Sequence, residues 1–164
     1  MSGARLFGKL PAHGDFVARG VAAAEREALD LWLSGEMVTA RALLGDAFDD
    51  RYGRVPPWRF AGSGEAGVLI ASVDKVGRRY PLYLGVEGGE NAAEQCEELV
   101  YRAFSEGWDA DRLAGDAAAI PSAEGEAGPP RWWTLGGEGF GAAFREGERP
   151  EGLLATMLMT TEDA

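Results

Sequence analysis

The residues that could carry out chemistry are concentrated in two glycine-containing stretches of the first half of the chain. One stretch reads GKLPAHGDF at positions 8–16, and the other reads SVDKVGRRYPL at positions 72–82. If the two stretches met in a pocket, an imidazole and two carboxylates could act as acid, base or metal ligands while arginines held an anionic substrate. The residues of such a small hydrolase would be His13, Asp15, Asp74, Arg78 and Arg79.

Other features of the sequence argue against catalysis. His13 is the only histidine, and it stands two residues from Asp15, a spacing that places two ligands on one metal only in an extended chain. The only thiol, Cys96, falls on the apolar stripe of a predicted helix, and no serine occupies a strand-turn-helix elbow. Gly8-Lys9 lacks the spacing of a phosphate-binding loop. The sequence therefore predicts no metal site, no cofactor and no required small molecule, and it favours a non-catalytic protein over the hydrolase.

Charge is unevenly distributed along the chain. The 164 residues carry a formal net charge of −11. Residues 1–86 hold 11 Lys and Arg and 10 Asp and Glu, which gives a net charge of +1. Residues 87–164 hold 5 Lys and Arg and 17 Asp and Glu, which gives a net charge of −12. The acidic half would repel phosphates, so we expect no nucleic-acid partner. No run approaches the roughly 20 apolar residues that a bilayer demands, and no basic stretch followed by an apolar one opens the chain. We expect a soluble protein that is neither exported nor inserted into a membrane.

Two predicted strands position the second stretch. Residues 67–71, GVLIA, form a short apolar run typical of a buried strand, and residues 80–86, YPLYLGV, match it after a charged turn at 74–79. The first stretch, by contrast, contains two glycines and a proline, which exclude a regular element and predict a shaped loop.

Further strands are predicted on both sides of this hairpin. Residues 4–7 begin a first strand, and PPWRF at 56–60 predicts an extended segment. Alternation along that segment buries Trp58 and Phe60 and leaves Arg59 on the opposite face. The last two strand candidates are residues 131–135 and 153–159.

Helical periodicity dominates residues 21–44. The apolar stripe predicts one kinked helix or two short ones, because Ser34-Gly35 interrupts it. Trp32 is predicted to be the largest side chain on the buried face, while Glu36 falls on the solvated face. Shorter helices are predicted at 46–52, at 91–105 with Asn91 as its cap, and at 109–120.

The order of these elements predicts the fold class. Strands at the start, in the middle and at the end, with helices grouped between them, imply an α+β domain rather than a βαβ winding. The connections between the three middle strands are too short for parallel crossovers, so these strands should form an antiparallel meander. Residues 121–130 are predicted to be a surface loop and residues 160–164 a frayed tail.

Four motifs in this order resemble one protein family. They are GKLPAHGDFVARG at 8–20, WLSGEMVTARALLG at 32–45, PPWRF at 56–60 and SVDKVGRRYPL at 72–82, and WWTLGG at 132–137 looks like a weaker later signature. Together they resemble the TagF family, whose members are associated with bacterial type VI secretion. Four linked motifs are much more specific than any one of them.

The resemblance implies a function and an architecture. It implies a cytoplasmic accessory protein that restrains type VI secretion after translation by contacting a forkhead-associated scaffold protein, and family members are not known as enzymes. It also implies a longin-like three-layer fold, a central antiparallel sheet between helices, with residues 1–164 as a single TagF-like domain. The implied fold agrees with the α+β class expected from the elements.

We predict that the two charged stretches form one partner-binding surface. The loop at 9–16 should lie next to the loop at 74–79, with Trp58, Arg59 and Tyr80 beside them. Either Asp15 or Asp74 should pair with one of the arginines. The predicted partner-binding residues are Lys9, Pro11, His13, Asp15, Phe16, Arg59, Asp74, Lys75, Arg78, Arg79 and Tyr80.

Overall fold

Seven strands form one antiparallel sheet in the computed structural model of the protein, which describes residues 3–121 and 128–161. In chain order the strands are β1 (Arg5–Gly8), β2 (Val17–Arg19), β3 (Trp58–Gly62), β4 (Glu65–Ile70), β5 (Leu82–Glu87), β6 (Arg131–Thr134) and β7 (Ala143–Glu146). Their spatial order is β2-β1-β5-β4-β3-β6-β7, and all neighbours are antiparallel. The predicted meander of the three middle strands is confirmed as β3-β4-β5.

Helices cover both faces of this sheet. They are α1 (Ala23–Leu44), α2 (Phe48–Arg54), α3 (Glu90–Glu106), α4 (Ala110–Ala118) and α5 (Leu153–Met159), with a 3₁₀ turn at Gly45–Ala47. Helices α3 and α4 pack on one face, and α1, α2 and α5 pack on the other. The predicted fold class is therefore confirmed: an α+β domain with a central antiparallel sheet between helices, in the longin-like three-layer arrangement.

Alternation along the strands divides the core into two halves. On β5, Leu82 and Leu84 face the α3 side, whereas Tyr83 faces the α1 side. On β3, Trp58 and Phe60 are buried on the α1 side, as predicted. The α3 side is mainly aliphatic, while the α1 side carries most of the aromatic rings. Because both faces are covered, the central strands read as nearly continuous apolar runs.

The apolar run at residues 153–159 forms helix α5, so the predicted strand is wrong. A short unbroken apolar run suits a buried strand and a buried helix equally well. Glu36 stabilises the helical alternative, because its carboxylate accepts hydrogen bonds from the backbone N–H groups of Gly152 (3.0 Å) and Leu154 (2.8 Å) at the start of α5. Glu36 is 6% exposed, so it does not lie on the solvated face where the pattern puts it.

Helix α1 is continuous over 22 residues, so of the two predicted alternatives the single helix is observed and the break at Ser34-Gly35 is not. Gly35 lowers the local helix propensity, but Leu33 and Met37 on either side of it are buried and hold the helix on the sheet. Trp32 is half-buried rather than part of the core.

Strands β2 and β7 are the two edges of the sheet, and both are missing from the predicted set. Each is only three or four residues long. Strand β7 is mostly exposed and lacks an alternating apolar pattern, which removes the usual signal for a strand. Helix α3 begins at Glu90 after Gly89, so Asn91 is not its cap.

The second half of the chain joins the same sheet as the first, since β6 pairs with β3. The surface loop predicted at 121–130 and the frayed tail predicted at 160–164 fall partly outside the described residues, at 122–127 and 162–164. The domain boundaries of 1–164 stay a prediction.

Gly35 offers a test of how tertiary packing overrides helix propensity. Nothing lies within 4 Å of a Cβ built at Gly35, and its backbone is helical. Gly35→Ala should therefore raise the free energy of unfolding by about 0.5–1 kcal/mol, measured by urea denaturation. Gly45 is the matched control, because it is equally open but has a φ of +53°. Gly45→Ala should not stabilise, and equal gains at both positions would contradict the conformational explanation.

Candidate partner-binding surface

The loops at residues 9–16 and 74–79 lie against each other, as predicted. The backbone N–H of Lys75 donates to the carbonyl oxygen of His13 at 2.7 Å. The Arg78 guanidinium donates to the carbonyl oxygen of Gly14 at 2.8 Å, and the Ser72 hydroxyl donates to that of Lys9 at 2.7 Å. These contacts join two segments more than sixty residues apart in sequence. We call their shared outer face the two-loop surface.

Asp74 is the centre of this junction. One carboxylate oxygen accepts the backbone N–H groups of Val76 and Arg78, both at 3.0 Å. The other accepts the Arg78 guanidinium at 2.7 Å and lies 3.3 Å from the Lys9 ammonium. Asp74 is 2% exposed, and Lys9 is buried beside it. The predicted pairing of Asp74 with an arginine is confirmed, and the arginine is Arg78.

These contacts keep Asp74 ionised. Burial would raise the pKa of its carboxyl, but hydrogen bonds from the Arg78 backbone, the Lys9 and Arg78 side chains and the Val76 backbone outweigh burial. The pKa is therefore lowered from the ordinary 3.8 to about 2. At neutral pH the carboxylate holds the charged turn closed and ties it to the loop at 9–16.

The outer face of the two loops combines apolar and cationic groups. Val76 is 71% exposed at the tip of the turn, and Phe16 is 47% exposed on the neighbouring loop. Lys75, which directly precedes Val76 in the turn, is also exposed, and the Arg78 side chain is 62% exposed. Phe16 is held in place by stacking on Phe7 at 6.1 Å between ring centroids. The arrangement suits recognition of another protein, since aromatic residues and arginine are enriched at contact surfaces.

Three predicted residues of the first loop have distinct positions. The Nε2 atom of His13 accepts the backbone N–H of Ala110 at 2.9 Å, so the imidazole caps the first turn of α4. Asp15 is exposed, and its carboxylate accepts the backbone N–H of Phe16 at 2.7 Å. Pro11 is half-buried. All three lie on the loop, but only Asp15 is exposed, whereas Pro11 and His13 are half-buried.

Tyr80 and Arg79 lie at the base of the two-loop surface rather than on it. Tyr80 is 5% exposed, and its hydroxyl donates to Asp30 of α1 at 2.7 Å. Its ring meets Phe16 edge to face at 4.8 Å. Arg79 is half-buried and pairs with Asp49 at 3.2 Å.

Arg59 is not brought to the two-loop surface. It lies in β3 and points to the α3 side of the sheet, where its guanidinium contacts Glu97 at 3.1 Å. The hydrogen bond with Glu97 raises the pKa of Arg59 further. Trp58, its neighbour, is 1% exposed in the α1-side core. The strand alternation that predicts the orientation of Arg59 also separates it from the two loops.

Val76 is the surface residue that the sequence-based site omits. It is the only apolar residue between Asp74 and Arg79, and it belongs to neither flanking strand. An apolar side chain at the tip of a charged turn has no core to enter, and this is the signal that could have identified it.

The same contacts leave little chemistry for catalysis. Asp74 is closed off by its donors, and the His13 nitrogen that could act as a base is engaged with α4. Burial raises the pKa of the Cys96 thiol to about 12, so it is not a ready nucleophile at neutral pH. Within residues 3–121 and 128–161, no three His, Cys, Asp or Glu side chains are grouped to hold a metal ion.

Comparison with protein families places this geometry in a known context. The model of the TagF N-terminal domain, described as type VI secretion system-associated, matches residues 5–120. The chain belongs to the TagF family. The matched range includes both loops of the two-loop surface, so the TagF resemblance of the four motifs is confirmed. A comparison with curated proteins finds no match.

The TagF chain also has a structural counterpart. It is similar to the crystal structure of PA0076 from Pseudomonas aeruginosa PAO1 at 2.05 Å resolution, with a TM-score of 0.79 and 24% sequence identity over 98% of this chain and 96% of that chain. This likeness shows a shared fold over nearly the whole length. In the part of the chain that the structure describes, no helix has the length and apolarity to cross a bilayer.

The depressed pKa of Asp74 predicts acid sensitivity. Because the folded pKa lies below the ordinary value, the ionised carboxylate stabilises the fold fully above about pH 4 and loses this effect as the pH falls toward 2. Asp74→Asn should therefore lower the thermal midpoint at pH 7, and the gap to the unmodified protein should shrink between pH 4 and pH 2. Asp15→Asn, at an exposed site, is the control and should change the midpoint little. A gap for Asp74→Asn that stays constant across this range would contradict the assignment.

Proposed function

We propose that this TagF-family protein is a non-catalytic cytoplasmic regulator that represses type VI secretion after translation by binding a forkhead-associated scaffold protein of the same system. Membership of a type VI secretion-associated family supports the cellular context. One observation carries the proposal of a binding role. The two loops are joined around Asp74, and they leave the side chains of Phe16, Val76, Lys75 and Arg78 exposed.

The two-loop surface indicates what its partner presents. Phe16 and Val76 supply apolar anchors, which gain most when they enter a pocket that excludes water. Lys75 and Arg78 supply positive charge around these anchors, and this charge would steer an acidic patch into register. The complementary surface on the scaffold protein is therefore an apolar depression with carboxylates at its edge.

Rigidity of the surface also favours binding. The turn at 74–79 is closed by hydrogen bonds within itself, from the Asp74 backbone N–H to Arg78 and from the Gly77 N–H to Asp74, both at 3.0 Å. It is fixed to the neighbouring loop through His13 and Gly14. A surface that is ordered before contact loses less conformational entropy on association, which strengthens binding.

The alternative of a small hydrolase lacks this kind of support. His13 faces α4 and Asp74 is enclosed by its donors. Arg79 is paired with Asp49 at the base of the loops. None of these groups is left to act on a substrate in the way the hydrolase would require.

The test uses residues whose replacement leaves the junction intact. Lys75 and Val76 are exposed, whereas Arg78 contacts both Asp74 and Gly14 and is unsuitable. The double variant Lys75→Glu/Val76→Glu should weaken binding of the purified forkhead-associated protein by about tenfold or more in calorimetry. It should also release secretion in the native host, with an unchanged thermal midpoint.

Leu135→Glu is the matched control, because Leu135 is also 71% exposed but lies just after β6. This variant should bind and repress like the unmodified protein. If the double variant folds, binds and represses normally, the two-loop surface is not the working surface.

A further inference from the structure

A separate pocket lies between helix α1 and the sheet, away from the two-loop surface. Its volume is about 180 Å³. One wall is formed by Glu25, Leu29 and Trp32, which follow one another along a single side of α1. The opposite wall is the sheet, and the β3–β4 turn and the segment 148–149 complete the lining. We call this cavity the α1 pocket. Its size suits a group of a few heavy atoms rather than a nucleotide or a large cofactor.

Four aromatic rings run in a continuous series through the lining of the α1 pocket. Trp32 of α1 lies 5.7 Å from Trp132 of β6, measured between ring centroids. Trp132 lies 4.7 Å from Phe60, and Phe60 stacks on Tyr83 at 5.1 Å. The faces of such rings attract cations through their quadrupoles, and tryptophan does so most strongly.

The charged groups of the α1 pocket carry an excess of one negative charge. The Arg5 guanidinium pairs with both Glu25, at 2.5 Å, and Glu65, which also accepts the hydroxyl proton of Tyr83. Two carboxylates therefore face one guanidinium, and all three side chains are at most 30% exposed. Glu148 and Arg149 also line the pocket, and their charges offset each other. The excess charge is screened less than it would be on an open surface.

We propose that the α1 pocket binds a small organic cation, an ammonium or guanidinium group. The cationic group lies against the aromatic series and compensates the excess charge of Glu25 and Glu65. An anion is disfavoured by the same carboxylates. The cation comes either from a free amine or from a lysine or arginine side chain of a partner protein, since both sources present the same head group. This site does not depend on the proposed role of the two-loop surface.

The indole N–H groups of the pocket provide the readout. Trp32 donates to the carbonyl oxygen of Pro150 at 3.3 Å, and Trp132 donates to that of Gly147 at 3.0 Å, so both report on the segment beside the pocket. The full chain is titrated with methylguanidinium in heteronuclear NMR. We expect saturable shifts of both indole signals, with a dissociation constant on the order of 1 mM. Acetate should cause no saturable shift.

Two further probes distinguish the sources of the cation. Agmatine represents a free amine, and N-acetylarginine amide represents a partner's side chain. Binding of either one supports the site, and the tighter of the two identifies the source. Absence of saturation up to about 50 mM for every cation, or an equal response to acetate, overturns the proposal.

Variants locate the binding in the pocket. Glu148 is exposed, so Glu148→Lys should fold normally while reversing one charge of the lining and weakening cation binding about fivefold. Glu65→Gln should weaken it at least as much, with its thermal midpoint checked separately. Glu97→Gln is the control, because Glu97 pairs with Arg59 on the opposite face of the sheet. Unchanged affinity in Glu148→Lys, or equal loss in Glu97→Gln, places the binding elsewhere and overturns the assignment.

Discussion

The buried carboxylate of Asp74 is the interaction on which the candidate surface depends. It accepts hydrogen bonds from two backbone N–H groups and the Arg78 guanidinium of its own turn. It also pairs with the Lys9 ammonium of the neighbouring loop, so one carboxylate holds both loops. A buried carboxylate without these partners would be strongly destabilising. The requirement for a full set of donors therefore fixes the path of both loops. The exposed position of Val76 follows from that path, whereas Phe16 is also held by its ring contacts with Phe7 and Tyr80.

The sheet separates the molecule into two surfaces with different composition. Its α3 side is closed by small and aliphatic residues, and α3 itself carries acidic residues outward. Its α1 side contains the aromatic core and the α1 pocket. Strand alternation is the reason that Arg59 lies on one side and Phe60 on the other. The α1 pocket therefore lies on the α1 side, whereas the two-loop surface touches both sides, because Phe16 packs on Phe7 and Tyr80 while His13 contacts α4.

Local patterns in the sequence were sufficient for the central strands, helix α3 and the junction of the two loops. Periodicity identifies an element only when one face differs from the other, which is why the uniformly apolar run of α5 and the exposed edge strand β7 escaped it. Glu36 shows a second limit, because a buried carboxylate that caps a distant helix is indistinguishable in sequence from a solvated one. Arg59 shows a third limit. It follows Trp58 and precedes Phe60 in the chain, yet it lies on the opposite face of the sheet from both.

Hydrogen exchange measured by mass spectrometry, with and without the proposed forkhead-associated partner, tests the central claim most directly. Binding through the two-loop surface predicts that new protection is confined to residues 9–16 and 74–79 and to the adjoining part of α1, around Asp30, which Tyr80 contacts. Protection that appears instead on α3 and α4, with both loops exchanging as in the free protein, would contradict the account.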